Sequence, residues 1–480
     1  MEKPKSARDK AAAVVPAPIA KPAAPAAPRE LGWLPDCVYT GEKFESGLAF
    51  FADGLGRISR FSREPADLAM AHRLAGQAAL PGLVNAHSHA FHRVLRGRTE
   101  QRSRVAGDPL ATWREAEERV IARLSAEDIY ETARMTFMEM LISGITCVGE
   151  FHSVHHQPDG TPWPEPNFLA HEVLRAAHDI GIRIALLKVA DTRPGHLRSL
   201  APAPDKFIRD TEALRLYIEK NHPADDAWMG VAAQNVRAVP LDYLKTIAGY
   251  THTQRMRLHL HVSERLSDNE ACVAEHGRTP VTLLAERGLI DKRVVAINAI
   301  HLTDDEVKML GAARAAVCAC PTSARNLGLG ALPVEKLLAA GAIVSLGSDT
   351  QVQIDLFEDA RLLEYHLRTG WLQRAVLAPD AATPLFHAAT VGGARSLGAP
   401  GGALEVGRPG DFFTVNLFDP SVAGAEPGAV LNIIVFSLER RAVREVWIGG
   451  RQLVTNGRHP LQGPIVGRFV EMQRRLWAVA

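Results

Sequence analysis

Two hydrophobic rhythms divide the chain. From "CVYTGEKFESGLAFFADGLGRISRF" to about residue 79, short apolar pieces alternate with Gly and Asp turns. This texture predicts short strands. It returns near the other end in "GRPGDFFTVNLFD" and "AVREVWIGGRQLVTNGRH". Two β-rich ends around a long middle predict one small β domain built from both termini. In the middle, "SAEDIYETARMTFMEMLISG" has apolar residues at helical spacing, a Ser–Ala–Glu–Asp start and a Gly stop. The β-branched run "ITCVGEF" follows. "NFLAHEVLRAAHDIG" then "IRIALLKVA", "TPVTLLAERGLI" then "RVVAINAIHL", and "EKLLAAGA" then "IVSLGSD" repeat the helix-then-strand order. Repeated βα units predict a parallel sheet, and this many units predict an α/β fold with a (β/α)8 barrel. A doubly wound sheet is the alternative, but no Gly-rich dinucleotide turn follows an early strand.

Composition adds limits. A chain of 480 residues is too long for one small core. The expected division is a tail over residues 1–29, one part of a β-sandwich over 30–79, the barrel over 80–400, and the rest of the sandwich with a terminal helix over 401–480. The tail is rich in Ala, Pro and Lys, and its prolines break any apolar core of a secretory signal. It reads as a disordered, extended segment. The net charge of +1 supplies no global field to draw in nucleic acid or an anionic membrane. No apolar run is long enough to span a bilayer. Cys37, Cys147, Cys272, Cys318 and Cys320 are odd in number and scattered, which predicts reduced thiols in a cytoplasmic protein. Cys318 and Cys320, two apart, read as buried small residues rather than a redox pair.

A barrel places catalytic groups at the C-terminal ends of its strands, and four polar clusters fall there. "AALPGLVNAHSH" ends in His87 and His89, which point to one side of a strand. "RLHLHVSER" brings His259 and His261, with Glu264 just beyond. "VVAINAIHLTDD" carries Asn298 and His301, and "IVSLGSDT" ends in Asp349. A single strand histidine is more often a hydrogen-bonded core or surface group than a ligand. The four clusters together argue otherwise. His87, His89, His261 and Asp349 offer three nitrogens and one carboxylate oxygen, a set that suits one divalent ion, zinc first, with iron and manganese also accommodated.

The motifs "LPGLVNAHSHAFHR", "HLHVSE", "HLTDDEV", "CPTSARNLGLG" and "SLGSDT" occur in the order found in the amidohydrolase superfamily of metal-dependent deaminases. The chain resembles that superfamily from about residue 33 to 475. The resemblance implies a (β/α)8 barrel beside a composite β-sandwich, and a homodimer. Within the superfamily, "ATWREAEERVIARLSAEDIYETARMTFMEMLISGITCVGEFHSVHHQPDGTPWPEP" is similar to the formimidoylglutamate deiminases, its "EFHSVHHQPDGTP" being the most specific piece. "GSDTQVQIDLFEDARLLEYHLR" supports the same likeness.

That likeness implies roles. His87, His89, His261 and Asp349 match the metal ligands, and Glu264 matches the acid that shuttles protons. Arg114 in "WRE" and Arg237 in "QNVRAVP" match the residues that hold a small-molecule substrate's carboxylates. The chemistry suits these residue types. The ion makes water a nucleophile at neutral pH, Asp349 accepts its proton, and Glu264 protonates the departing nitrogen. Arginine's planar fork binds a carboxylate bidentately.

Four positions depart from the pattern. His92 stands where glutamine is usual, Ser153 where tyrosine is, and Gln234 where histidine is. Asn298 replaces the first histidine of an HxxH element. An amide donates a hydrogen bond but carries neither proton nor charge, and losing a polarising group costs on the order of 10²–10³-fold in rate. His301, three residues on, is expected to point elsewhere. Asn298 is expected to face the water held by the ion, and His92 to stand behind the ligands or face the substrate. Two alternatives to formimidoylglutamate hydrolysis stay open: an amidohydrolase turned to another amidine or imine, and a metal-binding protein without turnover.

Overall fold

Eight strands run parallel around a barrel in chain order: β1 (Leu83–Ser88), β2 (Ile145–His152), β3 (Arg183–Ala190), β4 (Ala227–Ala233), β5 (Leu258–Val262), β6 (Val294–Asn298), β7 (Ala316–Ala319) and β8 (Ile343–Leu346). The computed structural model describes residues 30–101, 110–193, 198–426 and 428–478. The tail over 1–29 therefore lies outside the described residues.

The strands are short, apolar runs because both faces are covered. In β3, Ala185, Leu187 and Val189 point into the barrel and pack with Val84, Ala86, Phe151 and Ile297. Their neighbours Ile184, Leu186 and Ala190 pack outward against the helices. The helices begin and end where the sequence signals them. Ser125 caps the helix Ala126–Leu141 and forms a capping box with Asp128. Gly181 ends the helix Phe168–Ile180 at φ 85°. The barrel closes by backbone pairing of Ser88 with Asp349, just beyond β8.

A second sheet of eight mixed strands draws on both ends of the chain. Its order is Arg451–Val454, Val443–Ile448, Phe412–Asn416, His72–Pro81, Leu31–Tyr39, Ala49–Ala52, Ile58–Ser62, with Phe44–Ser46 added beside Leu31–Tyr39. Trp33 meets the ring of Trp447 at 5.3 Å and that of Phe50 at 5.4 Å. Trp33 and Trp447 lie three strands apart in the sheet order, so the sheet folds over on an aromatic core. The composite β unit expected from the two β-rich ends is thus a single curled sheet.

The two sheets are joined by a buried ion pair. Arg183, at the start of β3, donates from Nε to Asp411 Oδ2 (2.6 Å) and from a terminal nitrogen to Oδ1 (2.9 Å). Asp411 also accepts from the Gly449 backbone (2.9 Å), and Arg183 also reaches Asp226 (2.6 Å). Removing one partner leaves the other charge buried and alone. Arg183→Ala should therefore lower unfolding free energy by about 3–5 kcal/mol, read as an earlier urea midpoint. The double change with Asp411→Asn should recover part of that loss.

Candidate active site

His87 lies on β1, His89 one residue beyond it, His261 on β5 and Asp349 just past β8. One ligand atom from each lies within 4.8 Å of the others, and all four residues are buried. Asp349 Oδ1 is 3.5 Å from His87 Nε2 and 3.6 Å from His89 Nε2. Donors bound at about 2.0–2.1 Å in a tetrahedron stand roughly 3.3–3.5 Å apart, so the spacing fits a common ion. Nδ1 of His89 and both ring nitrogens of His87 are buried with no hydrogen-bond partner. Such atoms are costly unless something binds them. Burial first, then neighbouring rings, holds His87 and His89 below the ordinary histidine range, which leaves the neutral, ligating form. Burial alone would raise Asp349, but its contact with His87 outweighs burial and holds the carboxyl below its usual range. His261 Nδ1 donates to the Gln234 carbonyl (3.2 Å), leaving Nε2 for the ion.

The mouth is built from turns that few residues tolerate. Ser263 (φ 48°), Asn298 (66°), Ala299 (44°), Asp349 (46°) and Gln351 (59°) are all left-handed. Such strain gathers at functional sites when the surroundings enforce it. Here the amides of Ile300 and His301 both donate to the Ser263 carbonyl, stapling the turn after β6 to the turn after β5. Gly347 lets β8 approach β1: a Cβ there would stand 2.8 Å from His87 Cβ. Asn85 and Ser348 tie the same two segments twice, at 2.7 and 3.0 Å.

Glu264 and Asn298 meet directly, the Asn298 amide donating to Glu264 Oε1 at 2.8 Å. Asn298 therefore addresses the acid, where the sequence led us to expect it to face water at the ion. Burial first, and then Asp349, raises the Glu264 carboxyl above its usual range, although His261 opposes this. Such a group can hold a proton and deliver it. His301 turns away and bonds the Leu329 carbonyl (2.8 Å). His92 is buried, stacks on His89 (centroids 4.6 Å apart) and bonds Glu117 (2.7 Å), so it stands behind a ligand.

Two adjoining cavities open above the cluster and share Arg193 and Gln234. One, of about 390 Å³, brings Glu264 together with Arg114, Arg193, Arg237 and Arg265. The other, of about 310 Å³, brings His89 together with Ser153, Glu117 and Arg198. The Arg237 side chain is 48% exposed and stands 3.7 Å from Asp268. Three participants escaped the sequence reading. Phe151 packs its ring against His87, His89 and His261 at 4.9–5.1 Å. Glu150 accepts from Ser88 Oγ (2.6 Å) and the Ala90 amide (2.7 Å), holding the turn that carries His89, and burial pushes its carboxyl up to about 8. A lone carboxylate inside "ITCVGEFH" was the available signal for it. Arg193 follows the end of β3, where the strand-end rule could have found it; it is paired with Asp191 (2.7 Å).

A parallel barrel with three histidines and an aspartate at its C-terminal mouth is the frame of a barrel enzyme whose site could hold one metal ion. The amidohydrolase family profile matches residues 78–453, and the chain belongs to that family. A formimidoylglutamate deiminase of Pseudomonas aeruginosa is 36% identical over 84% of this chain and 90% of its own length. A 5'-deoxyadenosine deaminase of Methanoregula boonei is 30% identical over 84% and 85%. Among solved structures, an amidohydrolase from Brucella melitensis superposes with TM-score 0.86 at 28% identity, covering 93% of this chain and 100% of that one. All five cysteines are free and buried. Among the described residues no helix is long and apolar enough to cross a membrane.

If His261 is a ligand, His261→Ala should hold less than about a tenth of the wild-type divalent metal. Elemental analysis of folded protein reads this directly, and full occupancy in the variant removes His261 from the set.

Proposed function

We propose that the chain hydrolyses the C=N bond of N-formimidoyl-L-glutamate, giving N-formyl-L-glutamate and ammonia, a step of histidine breakdown. The observation that carries this reading is the cavity in which Glu264 shares walls with four arginines. A glutamate moiety brings two carboxylates, and guanidinium groups recognise them bidentately. 5'-Deoxyadenosine carries no carboxylate for these guanidinium groups to hold. His87, His89, His261 and Asp349 would hold a divalent ion, zinc in this reading, which would supply the acidification of water needed at neutral pH. Arg114 and Arg237 hold the glutamate part. Asp349 takes the proton from the attacking water, and Glu264 passes a proton to the amidine nitrogen, so that ammonia leaves. Gln234 and Ser153 line the space around the formimidoyl group, and His92 steadies His89. The reading also takes the protein as a cytoplasmic homodimer, which sedimentation would test.

Ammonia release is the direct measurement. Formimidoylglutamate should be turned over at least ~100-fold more efficiently than 5'-deoxyadenosine; the reverse order sinks this reading. Arg237→Ala should raise KM for formimidoylglutamate by about 10-fold while sparing a neutral amidine. This loss is smaller than for a fully buried contact because the side chain is half exposed. Equal losses on both substrates would make Arg237 structural.

One observation favours a second reading, an amidohydrolase acting on a different C=N substrate. Asn298 holds Glu264 with an amide that cannot carry a proton. Histidine is among the residues that tolerate the left-handed backbone at this position. Asn298→His should therefore raise formimidoylglutamate hydrolysis about 10-fold or more at equal metal content. Catalytic groups are non-additive, so the triple change with Gln234→His and Ser153→Tyr should do at least as well. No gain in the triple variant favours the second reading, or a protein without turnover.

A further inference from the structure

The opposite end of the barrel carries a second concavity, of about 950 Å³. It lies where β4 to β8 begin, away from the metal cluster at their C-terminal ends. Arg255 and Arg257 precede β5, Lys292 precedes β6, Arg314 precedes β7, and Arg395 projects from the helix Gly393–Leu397. None of these five has a carboxylate within ion-pair distance among the described residues, whereas Arg215 nearby is neutralised by Glu212 and Glu219, and Arg293 faces Asp291 at 3.8 Å. The whole chain has a net charge of only +1. The clustering is thus local, and like charges in one concave wall repel unless an anion joins them.

Two features make this more than a basic rim. Arg257 is partly buried and anchored, donating to the Lys292 carbonyl at 2.7 Å. One terminal nitrogen of its guanidinium is thereby tied to the backbone that carries Lys292. The floor is apolar and includes an aromatic ring: Trp228 lines the cavity beside Met229 and Leu397, its Nε1 fixed on the Leu397 carbonyl at 2.9 Å. The volume lies within the range of small-molecule sites. Several cations, Arg257 held by a hydrogen bond, around an anchored indole call for a ligand with a planar ring and several clustered negative charges.

We propose that the N-terminal mouth of the barrel is a binding site for a nucleoside polyphosphate. Its phosphates are held by Arg257, Arg314 and Arg395, and its base lies against Trp228. The site is separate from the arginine cavity beside Glu264 and does not depend on the reaction catalysed there.

Calorimetric titration of the full-length, metal-loaded protein tests this, with ATP free of magnesium as the probe. One ATP per chain should bind with Kd of roughly 10–100 µM at about 50 mM salt and at least ~10-fold more weakly at 300 mM. Arg314→Ala and Arg395→Ala should each weaken binding about 5–10-fold, and Arg257→Ala more, while Arg237→Ala leaves it unchanged. Inorganic triphosphate should bind several-fold more weakly than ATP. The proposal is overturned if ATP at about 1 mM gives no saturable binding, or if the Arg314→Ala/Arg395→Ala double variant binds as the wild type does. Loss of binding in Arg237→Ala alone would place the nucleotide at the other end of the barrel. Triphosphate equal to ATP removes the nucleoside from the proposal, and polyglutamate binding as tightly as ATP makes the surface a general acidic-polymer contact.

Discussion

Two backbone hydrogen bonds at the barrel seam set the geometry on which everything else rests. The Asp349 amide donates to the His87 carbonyl and the His89 amide donates to the Asp349 carbonyl, both at 3.1 Å. The groups that close the sheet are the ones that carry the donor atoms. Closure and ligand spacing are therefore one constraint, and the barrel cannot relax without pulling Asp349 from two imidazoles. Gly347 permits the approach, the Asn85–Ser348 contacts lock it, and Phe151 wedges the three rings from beneath. Side chains held in this way need little reorganisation when a ligand arrives.

At the mouth, opposing effects bear on one carboxyl group. Burial and Asp349 favour the protonated form of Glu264, while His261 favours the charged form. The amide of Asn298 also favours a charged acceptor, because it only donates here. A histidine at 298 would add a titrating partner; an asparagine fixes the carboxyl's orientation without adding one. The buried Asn298 Oδ1 has no hydrogen-bond partner among the described residues.

The barrel was legible because two-residue and 3.6-residue periods are local properties. The sequence rhythms placed a helix over "SAEDIYETARMTFMEMLISG" and strands at "ITCVGEF" and "IRIALLKVA", and the structure has them at Ala126–Leu141, Ile145–His152 and Arg183–Ala190. The His-x-His pair and the strand-end rule brought together four residues that are up to 262 positions apart in the chain, and these do converge. What stayed hidden depends on contacts between turns. Nothing in "AINAIH" says that its turn hangs from the Ser263 carbonyl and so delivers Asn298 to Glu264. Nothing in "HAFHR" says that His92 finds Glu117, on the helix Ala111–Ile121. The rhythm of the β-rich ends likewise gave strands without register, so one curled sheet could not be told from two facing ones.

That curled sheet bears on how the protein is made. The strand His72–Pro81 leads directly into β1, and its free edge is completed by Phe412–Asn416, with Pro81 opposite Phe412. At a synthesis rate of about 5–20 residues per second, the partner emerges from the ribosome roughly 20–60 s later. Until then the nascent chain presents an apolar strand edge attached to the first two histidines of the cluster. A chain cut short before residue 412 would keep every residue of the metal cluster and still leave that edge open, which makes it a template for pairing between chains. The last seventh of the polypeptide thus serves as an internal guard on its beginning.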